Sequence, residues 1–276
     1  MFDAHCHLDF AQFDEDRDAV LAGAIEQGVR GLLIAGYDQA RRSLAAELTQ
    51  TAGVFAAAGL HPWAVRDLGE DEALLEQEML ALEKALEEQH AGAFCALGEC
   101  GLDYYILSES ETEARSFQER AFLMQLELAR DLGLPVIIHA VRCHDRLMRL
   151  LSEHPHPPGG QLHGYGGPAG MVQRFIEMGW VLSFGTPLTW DGYQKNKKAF
   201  RRAWECAPEM VTLETDAPDR PASPVARGER GEPSHLRLVL EAASRELGAD
   251  AEEIADQCEA NARRLFGLPE DEILGA

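Results

Sequence analysis

The stretch FQERAFLMQLELARDLGLPVIIHA (117–140) holds one complete repeat of the fold. Phe117, Ala121, Met124, Leu128 and Leu132 recur at 3.6-residue spacing and lay one apolar stripe along a helix. Gly133-Leu134-Pro135 then stops it, because glycine readily takes the left-handed conformation of a helix terminus and proline cannot continue the helix. The next run, PVIIHA (135–140), is short and continuously apolar, as a strand buried on both faces must be. It carries a histidine, His139, at its end, followed only by Ala140.

Working outward, runs of the same kind occur at FDAH (2–5), GLLIAG (31–36), VFAAAG (54–59), FCALGE (94–99), QLHG (161–164), WVLSFG (180–185) and MVTLET (210–215). With 135–140 that makes eight candidate strands. Segment 70–89, rich in Leu, Ala and Glu, reads as a helix. Leu236, Val239, Leu240, Ala243 and Leu247 form another stripe, with Pro233 at its start and Gly248 at its stop. A last helix spans about 250–265. Eight strands alternating with helices predict an α/β chain folded as a (β/α)8 TIM barrel, a single domain over 1–276 with an extra C-terminal helix. A doubly wound open sheet is the rival, but it does not usually place polar residues at so many strand ends. The Pro/Gly-rich stretch 217–233 reads as the loop after strand eight.

Composition agrees. With 46% hydrophobic and 26% charged residues, a large core is feasible and disorder is not expected. No apolar run approaches the roughly 20 residues of a membrane span, and MFDAHCHLDF carries no export signal, so a cytoplasmic protein with no membrane association and no obligate protein partner is expected. The six cysteines show no CxxC spacing and are expected as free thiols, Cys6 and Cys100 turned away from the neighbouring acids and histidines by strand alternation. A net charge of −22 repels nucleic acid at long range, so any anionic substrate needs a local positive site.

Histidines and acids collect at the strand ends. His5 and His7 close strand one with one residue between them, which turns both imidazoles to the same side. Glu99 ends strand four, His139 strand five and His163 strand six, and Asp216 lies just past strand eight. In a parallel barrel these ends converge on the face where active sites are built. Any one of these residues has an ordinary structural explanation; five separate strand ends together point to a metal centre. The donor set suits two divalent ions, with Zn, Mn and Mg all open. Such an ion lowers the pKa of water from about 15.7 to about 7, the chemistry of a hydrolase. Glu99 is expected to bridge the ions and Asp216 to act as general base, with both counted as catalytic. The chain's four lysines, Lys84, Lys195, Lys197 and Lys198, end no candidate strand, so a lysine-derived bridge is excluded.

With these residues assembled, the chain resembles the TatD-type metal-dependent deoxyribonucleases of the amidohydrolase superfamily. FDAHCHLDF (2–10), GLHP (59–62), GECGLDYY (98–105), LPVIIHA (134–140), LHGYGG (162–167), LETDAP (213–218) and NARRLFG (261–267) carry the resemblance from end to end. It implies a TIM barrel with His5, His7, Glu99, His139, His163 and Asp216 as metal ligands. It also implies 3′ to 5′ exonuclease hydrolysis of single-stranded DNA or another phosphodiester. His61, Arg142 and His144 are expected to bind substrate, and Asp103 to orient a loop or a neighbouring ligand. His90, His154, His156 and His235 are not expected as ligands. Three departures bear on substrate: Arg142 stands one residue further from His139 than in typical members, Arg230-Gly231-Glu232-Pro233 lacks an Asn, and His163-Gly164-Tyr165-Gly166-Gly167 replaces an HCFSG-like segment. They keep a second expectation open, hydrolysis of a small-molecule amide, ester or lactone. A non-catalytic barrel is the third, opposed by the intact ligand set.

Overall fold

Eight parallel strands follow one another around a single sheet in chain order: β1 (Phe2–Cys6), β2 (Gly31–Ile34), β3 (Val54–Ala58), β4 (Phe94–Asp103), β5 (Val136–Val141), β6 (Gly160–Leu162), β7 (Trp180–Phe184) and β8 (Val211–Leu213). The computed structural model describes residues 1–88, 93–157, 159–224 and 228–275. Its helices are α1 (Arg17–Glu26), α2 (Gln39–Leu48), α3 (Pro62–Asp67), α4 (Glu72–Glu88), α5 (Thr112–Leu132), α6 (His144–Glu153), α7 (Val172–Glu177), α8 (Gln194–Cys206), α9 (Leu236–Leu247) and α10 (Ala251–Phe266). This is the expected (β/α)8 barrel. No helix among the described residues is long and apolar enough to cross a membrane.

β8 meets β1 through a few specific bonds. Asp216 N donates to His5 O (2.9 Å) and His7 N to Ala217 O (2.7 Å). Below them the buried Asp3 carboxylate accepts from Thr215 N (2.9 Å) and Thr215 Oγ1 (2.6 Å). The seam is therefore tied directly beside three of the expected ligands.

Two apolar layers divide the side chains. Leu32, Ile34, Val136, Ile138, Leu182 and Phe184 face outward and pack under the helices. Phe2, Ala4, Leu33, Phe55, Ala57, Ala96 and Ile137 fill the barrel with Ala262, Phe266 and Leu268. The C-terminal helix thus plugs the end of the barrel opposite the histidines, and Asn261 Nδ2 ties it to Val211 O (2.7 Å) and Pro208 O (2.8 Å). Phe266→Ala should therefore lower stability by about 3–5 kcal/mol, read by denaturant unfolding. A loss under about 1 kcal/mol would show that the plug contributes little.

The α5 stripe needs correction. The helix buries Phe117, Gln118, Ala121, Phe122, Gln125, Leu126 and Ala129, and Met124, Leu128 and Leu132 lie on its half-buried flank. Two glutamines sit on the buried face because backbone groups wait for them. Gln125 accepts from Leu60 N (2.8 Å) and donates to Leu60 O (3.1 Å). Gln118 accepts from Asp103 N (2.8 Å). Both anchor segments that lead into the histidine-lined mouth.

Candidate metal centre

Bulges decide which side chains face that mouth. The register runs Asp3↔Leu32 and then Cys6↔Ile34, so β1 carries one extra residue. Phe2 and Ala4 belong to the inner layer but Cys6 and Leu8 to the outer, so the alternation shifts and His5 and His7 turn inward. β4 shifts likewise between Leu97 and Cys100, which both pack in the outer layer, and Glu99 turns inward between them. Glu99 does not end its strand as expected, since β4 continues to Asp103. Cys6 and Cys100 pack in the outer layer, their thiols pushed far up by burial.

Glu99, fully buried, lies at the middle of the cluster. Its Oε2 stands 3.2 Å from His5 Nε2 and 3.4 Å from His7 Nε2. Asp216 Oδ1 is 3.7 Å from both imidazoles. Glu99 Oε1 lies 2.6 Å from His139 Nδ1, 2.7 Å from His163 Nε2 and 3.4 Å from His61 Nε2. The structure therefore brings all six expected ligands together, in two groups joined by one carboxylate.

This arrangement fits divalent cations. Donors sharing a tetrahedral ion with bonds of about 2.0–2.1 Å stand roughly 3.3–3.4 Å apart. Glu99 Oε2, His5 and His7 already stand so. Glu99 Oε2 is buried without a hydrogen-bond partner, a costly state for a carboxylate oxygen unless a cation meets it. Burial opposes ionisation of Glu99, yet His163, His61 and His5, with the bond to His139, hold its carboxyl well below the usual range. Burial also opposes charging His7, but the Glu99 contact raises it to about 9. The cluster attracts positive charge.

Other groups orient the rings. Asp103 Oδ2 lies 3.3 Å from His139 Nε2 and accepts from Trp63 Nε1 (2.7 Å), while Asp103 Oδ1 accepts from Tyr105 N (2.8 Å). Sequence reasoning missed Glu214, a buried acid within an apolar strand run and only two residues from Asp216. Its Oε1 accepts from Gly164 N (2.6 Å) and stands 3.5 Å from His163 Nδ1. Such partners fix a ligand's tautomer and orientation. Glu214→Gln should weaken cation affinity about 10- to 100-fold in a metal titration; unchanged affinity would remove this role.

The expected substrate residues fare unequally. His61 caps α3, its Nδ1 accepting from Trp63 N (3.1 Å), which leaves the proton on Nε2 facing Glu99. Burial lowers its pKa to about 4, so it stays a neutral N–H donor. It lines a cavity of about 230 Å³ together with Glu99, His139, His163 and Asp216. Arg142 and His144 do not line it. Arg142 takes a left-handed φ of 56° after β5 and lays its guanidinium 4.6 Å over the exposed Tyr105 ring. His144 packs edge-on against Tyr165. Phe10, Tyr37, Trp63 and Asp219 line the cavity instead, and Trp63 is 40% exposed with its ring pinned by Asp103. The exposed Trp after GLHP was the available signal. His156 packs against Trp180, and His235 takes part in the cap leading into α9. His90 lies outside the described residues.

Residues 2–267 match the family model described as TatD related DNase. The 3′-5′ ssDNA/RNA exonuclease TatD of Escherichia coli K12 is 33% identical, over 97% of this chain and 99% of that one. The uncharacterized metal-dependent hydrolase YabD of Bacillus subtilis 168 is 31% identical, again over 97% and 99%. Among solved structures, the TatD homologue YjjV of E. coli K12 superposes with a TM-score of 0.86 at 29% identity, covering 98% of both chains.

Proposed function

Since the chain belongs to the TatD-related DNase family of metal-dependent hydrolases, within the amidohydrolase superfamily, we propose that it removes nucleotides from the 3′ end of single-stranded DNA. The observation that carries this reading is the Glu99 carboxylate, which presents one oxygen to His5 and His7 and the other to His139 and His163. His5, His7 and Asp216 would hold one divalent ion, His139 and His163 a second, and Glu99 both. Zn²⁺ or Mn²⁺ suits so nitrogen-rich a set better than Mg²⁺. When bound, such ions supply Lewis acidity and bring the pKa of water near neutrality. Two such cations beside the carboxylates of Glu99 and Asp216 would leave net positive charge for an anionic phosphodiester and its transition state.

The chain's own residues do the rest. The Asp216 side chain is 22% exposed, so its carboxylate can take the proton of the attacking water and return it to the departing 3′ oxygen. His61, neutral and with its proton on Nε2, donates a hydrogen bond from that N–H to a phosphate oxygen entering the cavity. The pinned, part-exposed Trp63 offers a face on which the terminal base stacks, an interaction that every base can make.

Protein stripped by chelation and resupplied with Mg²⁺, Mn²⁺ or Zn²⁺ tests this on a 5′-labelled single strand. The expected result is a ladder of strands shortened from the 3′ end, dependent on added ion. No shortening with any of the three, from folded protein, would refute it. Ion-dependent hydrolysis of an amide, ester or lactone instead would move the chain to the small-molecule reading.

A further inference from the structure

In a chain of net charge −22, three of four lysines fall within QKNKKAFRR (194–202), the opening of α8. Lys195, Lys198 and Arg202 recur at i, i+3 and i+7, so they share one helix face, and all three are exposed. That face and the segment 168–170 wall a surface groove of about 760 Å³. Arg201 also lines the groove but is neutralised by Glu246, which holds Lys197 as well. Arg202 donates to the neutral Gln173 (2.9 Å). Among the described residues, no carboxylate forms an ion pair with Lys195, Lys198 or Arg202. Glu205, one turn further on, is the one acid among the described residues that line the groove. Gly170 leaves the opposite wall open, since a Cβ there would meet nothing within 4 Å.

The groove's two walls begin in connections that follow barrel strands, on the side where the metal cluster lies. Segment 168–170 follows β6, just past His163, and α8 follows β7. Asn196 Nδ2 donates to Tyr165 O (2.8 Å), pinning the first turn of α8 to the loop two residues beyond His163.

We propose that this groove is a binding track for the phosphate backbone of the single strand whose 3′ end occupies the metal cavity, an inference that rests on the nuclease reading. The surface as a whole repels such a strand, and three unneutralised cations in line supply the local positive site that holding it requires. Lys195 to Arg202 covers about 10 Å of helix axis, enough to meet more than one phosphate.

The test compares wild type with a Lys195→Gln, Lys198→Gln, Arg202→Gln variant, using the ratio of kcat/KM on a long single strand to that on a dinucleotide. This ratio does not depend on the fraction of active protein. The variant should lose at least about tenfold in the ratio, and its log–log salt slope on the long strand should shrink by about 2, from roughly 0.7 per phosphate contact. An unchanged ratio and slope, or a wild type indifferent to strand length, would overturn the track. If wild type cleaves neither substrate, the nuclease reading fails; binding of a labelled strand to the metal-free proteins then decides the track separately, and equal binding by both overturns it. Binding of polyglutamate through these residues, with no binding of the strand, would assign the groove to an acidic protein and likewise overturn it.

Discussion

Glu99→Gln should cost at least about 10⁴-fold in kcat/KM on single-stranded DNA, about 5–6 kcal/mol of transition-state stabilisation, and should release the bound cations. The size follows from position. Both histidine groups meet this carboxylate, one at each oxygen. The amide has nearly the same shape but no charge, so each group would lose its anionic partner and the site one of the two carboxylates that offset the ions' charge. Ion content by elemental analysis should fall with activity while the fold persists by circular dichroism. Retention of a tenth of wild-type activity would show that the carboxylate is not shared between two ions.

Asp216→Asn should lower kcat by about 10²- to 10⁴-fold, the range of a positioned general base, with a much smaller change in KM. Asparagine is the informative replacement. Asp216 sits at a φ of 60°, where Asn is tolerated and Ala is strained. Its backbone N–H bond to His5 O does not involve the side chain, so the seam between β8 and β1 survives. The group formed by Glu99, His139 and His163 is untouched, and the variant should still bind cation. Wild-type kcat would remove Asp216 from the proton path.

Much of this was legible in the residues. Eight apolar runs became eight strands, and the six acids and histidines placed near their ends meet around one carboxylate. Strand bounds were less legible: β6 stops at Leu162, before His163, and β4 runs through a bulge past Glu99, because strand ends and bulges depend on pairing with neighbouring strands and leave no local mark. The α5 stripe failed for a related reason, since Gln118 and Gln125 are buried to satisfy backbone groups of distant segments. Arg142 is expected near substrate because it follows strand five, but a left-handed backbone lays its guanidinium over Tyr105. Glu214 and Trp63 act through partners that adjoin them only in the closed barrel. The lysines of α8 were visible as a cluster; which of them stay unpaired depends on where Glu246 lands.

Anomalous diffraction from crystals grown with Mn²⁺ would test the shared carboxylate most directly. Two peaks about 3.5–4 Å apart are expected, one beside Glu99 Oε2 among His5, His7 and Asp216, the other beside Oε1 with His139 and His163. A single peak, or two peaks that do not share Glu99, would contradict it.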